Sequence, residues 1–256
     1  MDLTPGTEPT EAALPPPRLV LLHGTRMSRA QWGPYRALLP GVEVVSVDLP
    51  GHGERVGEEF TRTAALQTVQ DAVAQAGERP VLAGHSLGGY LAAMWAAEHP
   101  DALGALVLIG ATADPDGPLT GLYRVFARAM PHLDPERTAR RMNALMRLLG
   151  ARGEHADALP DGSAYASLPA AWDLVMAEAG PQLLDDVRCP VVLVNGQLDQ
   201  MRLHVRRFAD HARDACVVTI PRATHLLPAT HPEQLATILR QALGLARPEG
   251  PPTQAG

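Results

Sequence analysis

Six short runs, each apolar on both faces, are spaced along this chain with helical patterns between them. That alternation restricts the fold more than any other feature. The runs are LVLLH (19–23), VEVVSVD (42–48), PVLAGHS (80–86), GALVLIG (104–110), PVVLVNG (190–196) and CVVTI (216–220). A strand with one wet face alternates apolar and polar residues. These runs do not, which suits strands of a parallel sheet covered on both sides. Between them, TAALQTVQDAVAQAG places Leu66, Val69 and Val73 on one stripe and stops at Gly77. GGYLAAMWAAEHP is rich in Ala, a strong helix former, and ends at Pro100. HPEQLATILRQALG has Pro232 in its first turn and is amphipathic. Strand and helix alternating in this way predict a doubly wound α/β fold.

One stretch interrupts the pattern. Residues 111–186 contain no strand candidate but three helical patterns, LTGLYRVFARAM, PERTARRMNALMRLLG and SLPAAWDLVMAEAG, joined by turns rich in Pro, Gly and Asp. An insertion of this length between two sheet strands is too large for a loop, so a helical cap is expected there. The core is expected over 18–110 and 187–246. Residues 1–17 and 247–256 are Pro-rich and offer little to bury, and are expected to be a disordered leader and tail.

Composition narrows the function classes. The chain of 256 residues is 46% apolar and 20% charged, with a formal net charge of -6, which gives no pull towards nucleic acid or anionic lipid. Every basic residue is Arg, which excludes Schiff-base lysine chemistry and the P-loop lysine. Cys189 and Cys216 form no disulfide framework and no metal-ligand spacing, and both are expected to be buried thiols. No apolar run reaches the length of a membrane span, and the acidic N-terminal stretch lacks a signal-peptide pattern, so a cytoplasmic location is expected.

The sharpest motif is Gly84-His85-Ser86-Leu87-Gly88, a match to G-x-S-x-G, with a predicted strand before it and a predicted helix after it. That context puts a serine on a strained strand-to-helix turn with its hydroxyl projecting from the end of the sheet. Glycines at 84 and 88 are needed because side chains there would meet the neighbouring strand and helix. The helix N-terminus aims its amides at the same point, which suits a developing oxyanion, and the Leu87 N–H is one candidate donor.

Taken in order, LVLLHG, VDLPGHG, GHSLGG, VNGQLDQ and THLLPATHPE resemble the α/β-hydrolase superfamily from about Arg18 to Leu245. The resemblance implies an α/β-hydrolase fold: a mostly parallel sheet, helices on both faces and an inserted helical cap. Relatives begin with a strand hairpin that has no counterpart here, so a sheet of about six strands is expected. The superfamily's chain order of Ser, acid, His implies Ser86 as nucleophile, Asp199 past the fifth run as acid, and His225 past the sixth as base. His231, beside Pro232, is the rival base but suits a helix cap; His85 and His52 suit structural roles. Asp185 and Asp186 precede their strand and lie at the wrong edge. The resemblance also implies the Thr25 amide as the second oxyanion donor, with His23 holding that loop by hydrogen bonds.

Residues Leu122, Tyr123, Phe126, Met130, Met142, Leu145, Met146, Trp172, Val175 and Met176 give the cap helices an apolar face. Tyr123, Phe126, Met146, Trp172 and Met176, with Arg26 and Leu226 from the core, are the candidate substrate pocket. Arg26 or Arg29 is placed to clamp a substrate carboxylate, although a solvated Arg is the commoner role. The expected activity is hydrolysis of a small, largely apolar carboxylic ester, thioester or lactone through an acyl-enzyme on Ser86. No metal or organic cofactor is implied, and the expected partner is a small-molecule substrate. Two alternatives stay open: C–C cleavage or another biosynthetic reaction on the same triad, and a non-catalytic small-molecule receptor on a hydrolase fold.

Overall fold

The computed structural model describes residues 16–117 and 166–246, together with positions 137, 140, 141 and 144. All six apolar runs form strands: β1 (Arg18–Leu22), β2 (Glu43–Val47), β3 (Val81–His85), β4 (Ala105–Ile109), β5 (Val191–Gly196) and β6 (Ala215–Ile220). They make one sheet in the order β2-β1-β3-β4-β5-β6. Every pairing is parallel. The chain builds outward one way from β1 to β2, then crosses back and builds the other way from β3 to β6. The reversal lies between β1 and β3, and in open α/β sheets such a point is where a crevice opens beyond the strand ends.

Side-chain alternation explains why both faces are covered. Val20, Leu22, Leu82, Leu106, Leu108 and Leu193 point into one apolar layer. Leu19, Leu21, Val81, Ala83, Val107 and Val194 point into the other. The first layer is closed by α2 (Arg62–Ala76) and α3 (Leu87–Glu98), the second by α7 (Pro232–Leu245) and the short α1 (Tyr35–Leu38). Helix α2 starts at Thr61, whose hydroxyl accepts from the Ala64 amide, and ends where Gly77 takes a φ of 88°. Its expected stripe of Leu66, Val69 and Val73 is buried.

Three further helices bring the site together. They are α4 (Leu168–Glu178), α5 (Val205–His211) and the one-turn α6 (Leu227–Thr230). Helix α4 lies within the third helical pattern of the expected cap; Leu168, Ala171 and Val175 are buried. Ser167, just before it, donates to the Gly51 carbonyl (3.3 Å) and so ties α4 to the loop after β2. Tyr123, Phe126 and Met146, with Leu122, Met130, Met142 and Leu145, lie outside the described residues. No described helix is long and apolar enough to cross a membrane.

Two expectations need correction, with one physical cause. β6 is apolar in sequence, yet Cys216, Val217 and Thr219 are exposed, with Val217 at 46%. Cys216 is therefore not a buried thiol, whereas Cys189 is buried. β6 is the last strand of the sheet and has a neighbour on one side alone. An apolar run does not reveal whether it will be interior or edge.

Candidate active site

The strands end together at one rim. His85 at the end of β3 is in register with Ile109 of β4, and Gly196 of β5 with Ile220 of β6. The loops that leave these ends carry the candidate residues.

Ser86 sits immediately after β3 with φ 53° and ψ -117°, a conformation that a side chain normally avoids. Close packing enforces the turn. A Cβ on Gly84 would overlap the Gly88 carbonyl, and one on Gly88 would lie 2.6 Å from the Leu22 carbonyl oxygen. Helix α3 thus crosses directly against β3 and β1, and its first residue follows Ser86. The Ser86 amide completes the ladder by donating to Ile109 (2.8 Å), which anchors the turn to β4.

From this turn the Ser86 hydroxyl reaches His225 Nε2 at 3.0 Å. His225 lies in the loop after β6, and its Nδ1–H faces both Asp199 carboxylate oxygens at 3.1 Å. That contact sets the tautomer: Nδ1 carries the proton, leaving the Nε2 lone pair to accept from Ser86. Asp199 lies just past β5, with its side chain fully buried. Burial alone would raise its pKa. The charge of His225, the hydrogen bond from it and a 2.8 Å hydrogen bond from the Met201 amide outweigh burial and hold the carboxyl below its ordinary value. The acid is thereby kept ionised in a dry setting.

Gly24 and Thr25 also lie beside Ser86, and Leu87 follows it at the start of α3. The Gly24 carbonyl accepts from His23 Nδ1–H (2.8 Å) and from the Met27 amide (3.1 Å). His23 Nε2 in turn accepts from the Leu49 amide (3.0 Å). Burial, reinforced by the neighbouring His52, lowers the His23 pKa to about 3, so it is a neutral, fixed bridge. Because a peptide unit is planar and trans, holding the Gly24 carbonyl on one side directs the Thr25 N–H to the opposite side. Neither the Thr25 nor the Leu87 amide is used in a hydrogen bond among the described residues.

Two lobes open beside Ser86. One is lined by Thr25, Arg26, Met27, Gln31, His225, Leu226 and Ala229 among others. The other is lined by Thr25, Leu87, Tyr90, Ala171, Trp172, Val175 and Met201. Of the candidate pocket residues, Arg26 and Leu226 line the first lobe and Trp172 the second. Met176 is one turn beyond Trp172 on α4 and lines neither lobe. Arg29 lines neither lobe, and its half-exposed guanidinium pairs with Glu54 and approaches Asp48, as suits a solvated arginine. His231 turns to Thr230 Oγ1 (2.8 Å) and takes no part in the site.

Three further residues shape the surroundings of Ser86, His225 and Asp199. Gly110, with φ 57°, ends β4 beneath the acid–base pair; a Cβ there would lie 2.9 Å from Asp199 Oδ2 and 3.0 Å from His225 Nδ1. His85 is turned from the serine hydroxyl but packs against the His225 ring, with centroids 4.9 Å apart, and its Nε2–H donates to the His225 carbonyl (2.9 Å). Gln31 is buried and accepts from the Gly24 amide (3.2 Å). The terminal Gly of the fourth run was the one local hint of the first; His85 stands inside the serine motif, but its contact with His225 spans 140 positions, and the seven-residue contact of Gln31 with Gly24 has no sequence signature.

This arrangement agrees with what the chain resembles. The sequence profile of the alpha/beta hydrolase family matches residues 19–238. The chain belongs to that family. It is 30% identical to a pimeloyl-[acyl-carrier protein] methyl ester esterase of Aromatoleum aromaticum over 89% of this chain and 98% of that protein. It is 29% identical to the lipase LipV of Mycobacterium tuberculosis over 90% of this chain and 94% of that one. Among solved structures, a thermophilic esterase from Thermogutta terrifontis superposes with a TM-score of 0.71 at 25% identity, covering 91% of each chain. An ester-cleaving alpha/beta hydrolase is the class these comparisons support.

Proposed function

We propose that this protein is a serine hydrolase that cleaves a small carboxylic ester, with thioesters and lactones as close chemical variants, through an acyl-enzyme on Ser86. The observation that carries this reading is the continuous chain from Ser86 Oγ to His225 Nε2 (3.0 Å) and from His225 Nδ1 to Asp199 (3.1 Å), beside two amides with no acceptor of their own.

The chemistry follows from those positions. Ser86 Oγ attacks the carbonyl carbon as His225 Nε2 takes its proton. The imidazolium that forms is stabilised by the buried Asp199 carboxylate, which stays ionised throughout. Charge on the carbonyl oxygen is met by the Thr25 and Leu87 N–H groups, already oriented before the reaction begins. Collapse of the tetrahedral intermediate expels the alcohol, which receives the proton from His225. Water then attacks the acyl-serine by the same route, with His225 as base, and releases the acid. Residues 111–186, of which α4 is one wall of the second lobe, act in this reading as a helical cap over the site. The esterase and lipase names of the relatives are in keeping with it.

The test is covalent labelling with an alkyl fluorophosphonate followed by peptide mass mapping, alongside turnover of esters of graded acyl length. The label is expected on Ser86, absent in Ser86→Ala, with an acylation burst and steady turnover of at least one ester series. A label on another residue overturns the assignment. Labelling of Ser86 without turnover of any ester points instead to a receptor on a hydrolase scaffold.

A further inference from the structure

The loop after β6 is tied by its main chain on either side of His225 but at one point alone in His225 itself. The Ala223 carbonyl accepts from the Leu198 amide (2.8 Å) and the Thr224 carbonyl from the Leu227 amide (3.2 Å). Among the described residues, the His225 main chain makes one hydrogen bond, in which its carbonyl accepts from His85 Nε2–H (2.9 Å). A carbonyl can only accept, so His85 Nε2 carries the proton and Nδ1 is a bare lone pair. That nitrogen is buried without a partner against Gly24, where a Cβ would lie 2.7 Å from it. A proton added to it would find no acceptor. Burial, reinforced by the neighbouring His225, lowers the His85 pKa to about 3. The His85 ring is therefore neutral throughout the working range of His225 and does not compete with it for a proton.

His85 is also the last residue of β3 and the one before Ser86, and the sheet holds it in register with Ile109 of β4. Its ring packs on the His225 ring, with centroids 4.9 Å apart. One side chain thus connects the strand that carries the nucleophile to the loop that carries the base, although Ser86 and His225 are 139 positions apart. We propose that His85 is a positioning residue, which sets the distance from Ser86 Oγ to His225 Nε2 by holding the His225 carbonyl to the nucleophile's own strand. This rests on the serine-hydrolase reading above and goes beyond the structural role expected of His85 from the sequence. In that reading the contact between Ser86 and His225 breaks and reforms in every cycle as the proton moves. The bond from His85 takes no part in the transfer. It persists through the cycle and returns the imidazole to the same place. A displacement of about 1 Å at a reacting group can cost about 10²-fold in rate, so one anchor of this kind has a large effect.

The experiment compares His85→Gln with His85→Met. The two side chains are similar in length, flexible and uncharged, but Gln ends in an N–H donor and Met does not. Turnover of the best ester is referred to the number of sites that an alkyl fluorophosphonate titrates, so a partly unfolded sample does not alter the comparison. His85→Met is expected to lower kcat by about 10²-fold while KM stays within about threefold of wild type. Labelling of Ser86 by the fluorophosphonate should slow by a similar factor, because that reaction needs the same base. His85→Gln restores the donor, and its kcat is expected within about fivefold of wild type. A kcat for His85→Met within about threefold of wild type, or a loss in His85→Gln as large as in His85→Met, overturns the positioning role and leaves the esterase reading intact. A loss confined to KM does the same. Wild type that neither labels on Ser86 nor turns over any ester overturns both.

Discussion

The turn that carries Ser86 and the loops that carry Asp199 and His225 meet at one point of the sheet rim but are held there by different means. At the turn, backbone sterics dominate: φ is positive, and Gly84 and Gly88 are packed so closely that no Cβ fits. In the other loops, side-chain hydrogen bonds dominate: Asp199 is held by the Met201 amide and by His225, whose carbonyl is held by His85. The first region is specified by what is missing from its residues, the second by what is present. Damage should therefore show as lost stability at the turn and as lost chemistry in the loops.

The largest effect expected is in the loops. His225→Ala should lower kcat/KM by roughly 10⁴–10⁶, while the urea midpoint stays near that of wild type. A fall of less than tenfold in a steady-state ester assay would remove His225 from its role. The turn should behave in the opposite way. Gly84→Ala forces a Cβ onto the Gly88 carbonyl, and should cost about 3–5 kcal/mol of stability by equilibrium unfolding. Wild-type stability in that variant would break the comparison.

Gly110→Ala sharpens it, because this glycine combines both modes. It has a positive φ, and its missing Cβ leaves room for the contact between Asp199 and His225. About 1–2 kcal/mol of stability should be lost, together with about 10²-fold in kcat. Loss of stability without loss of kcat would show that the acid–base pair tolerates the intrusion.

The smallest effect per group is the pH dependence of stability. Burial lowers the pKa of both His23 and His85 to about 3, against 6.5 for the unfolded chain. Between those values the unfolded state binds more protons than the native one. Stability should therefore fall as pH drops below 6.5, by up to about 1.4 kcal/mol per pH unit for each residue. Above 6.5 these groups contribute no slope. Urea midpoints measured from pH 7 to pH 5 should fall, and His85→Gln should fall less steeply than wild type. Parallel slopes would show that His85 protonates freely in the folded protein.

The same contrast explains what the sequence disclosed. The strands were legible because a parallel strand covered on both faces is apolar throughout, and the turn at Ser86 because its glycines recur at fixed spacing. Position within the sheet was not legible, hence the exposure of Cys216 and Val217 on β6. The neighbours of the site were equally hidden. His85 on His225 and Met201 in the second lobe are products of tertiary approach, and Gln31 on Gly24, though only seven residues away, follows no recurrent pattern. Met176 lies one turn from Trp172 yet lines neither described lobe, and the exposed ion pairs of Arg29 fit the commoner role of a solvated arginine.

Ser86 and His225 are separated by 139 positions along the chain, and the histidine arrives with the loop after the sixth strand. A growing polypeptide emerging from the ribosome can complete the serine turn against β1, β3 and β4 while no base yet exists for it. On the proposed function, the nascent protein would thus pass most of its synthesis inert towards the esters around it and acquire its reactivity in one late step.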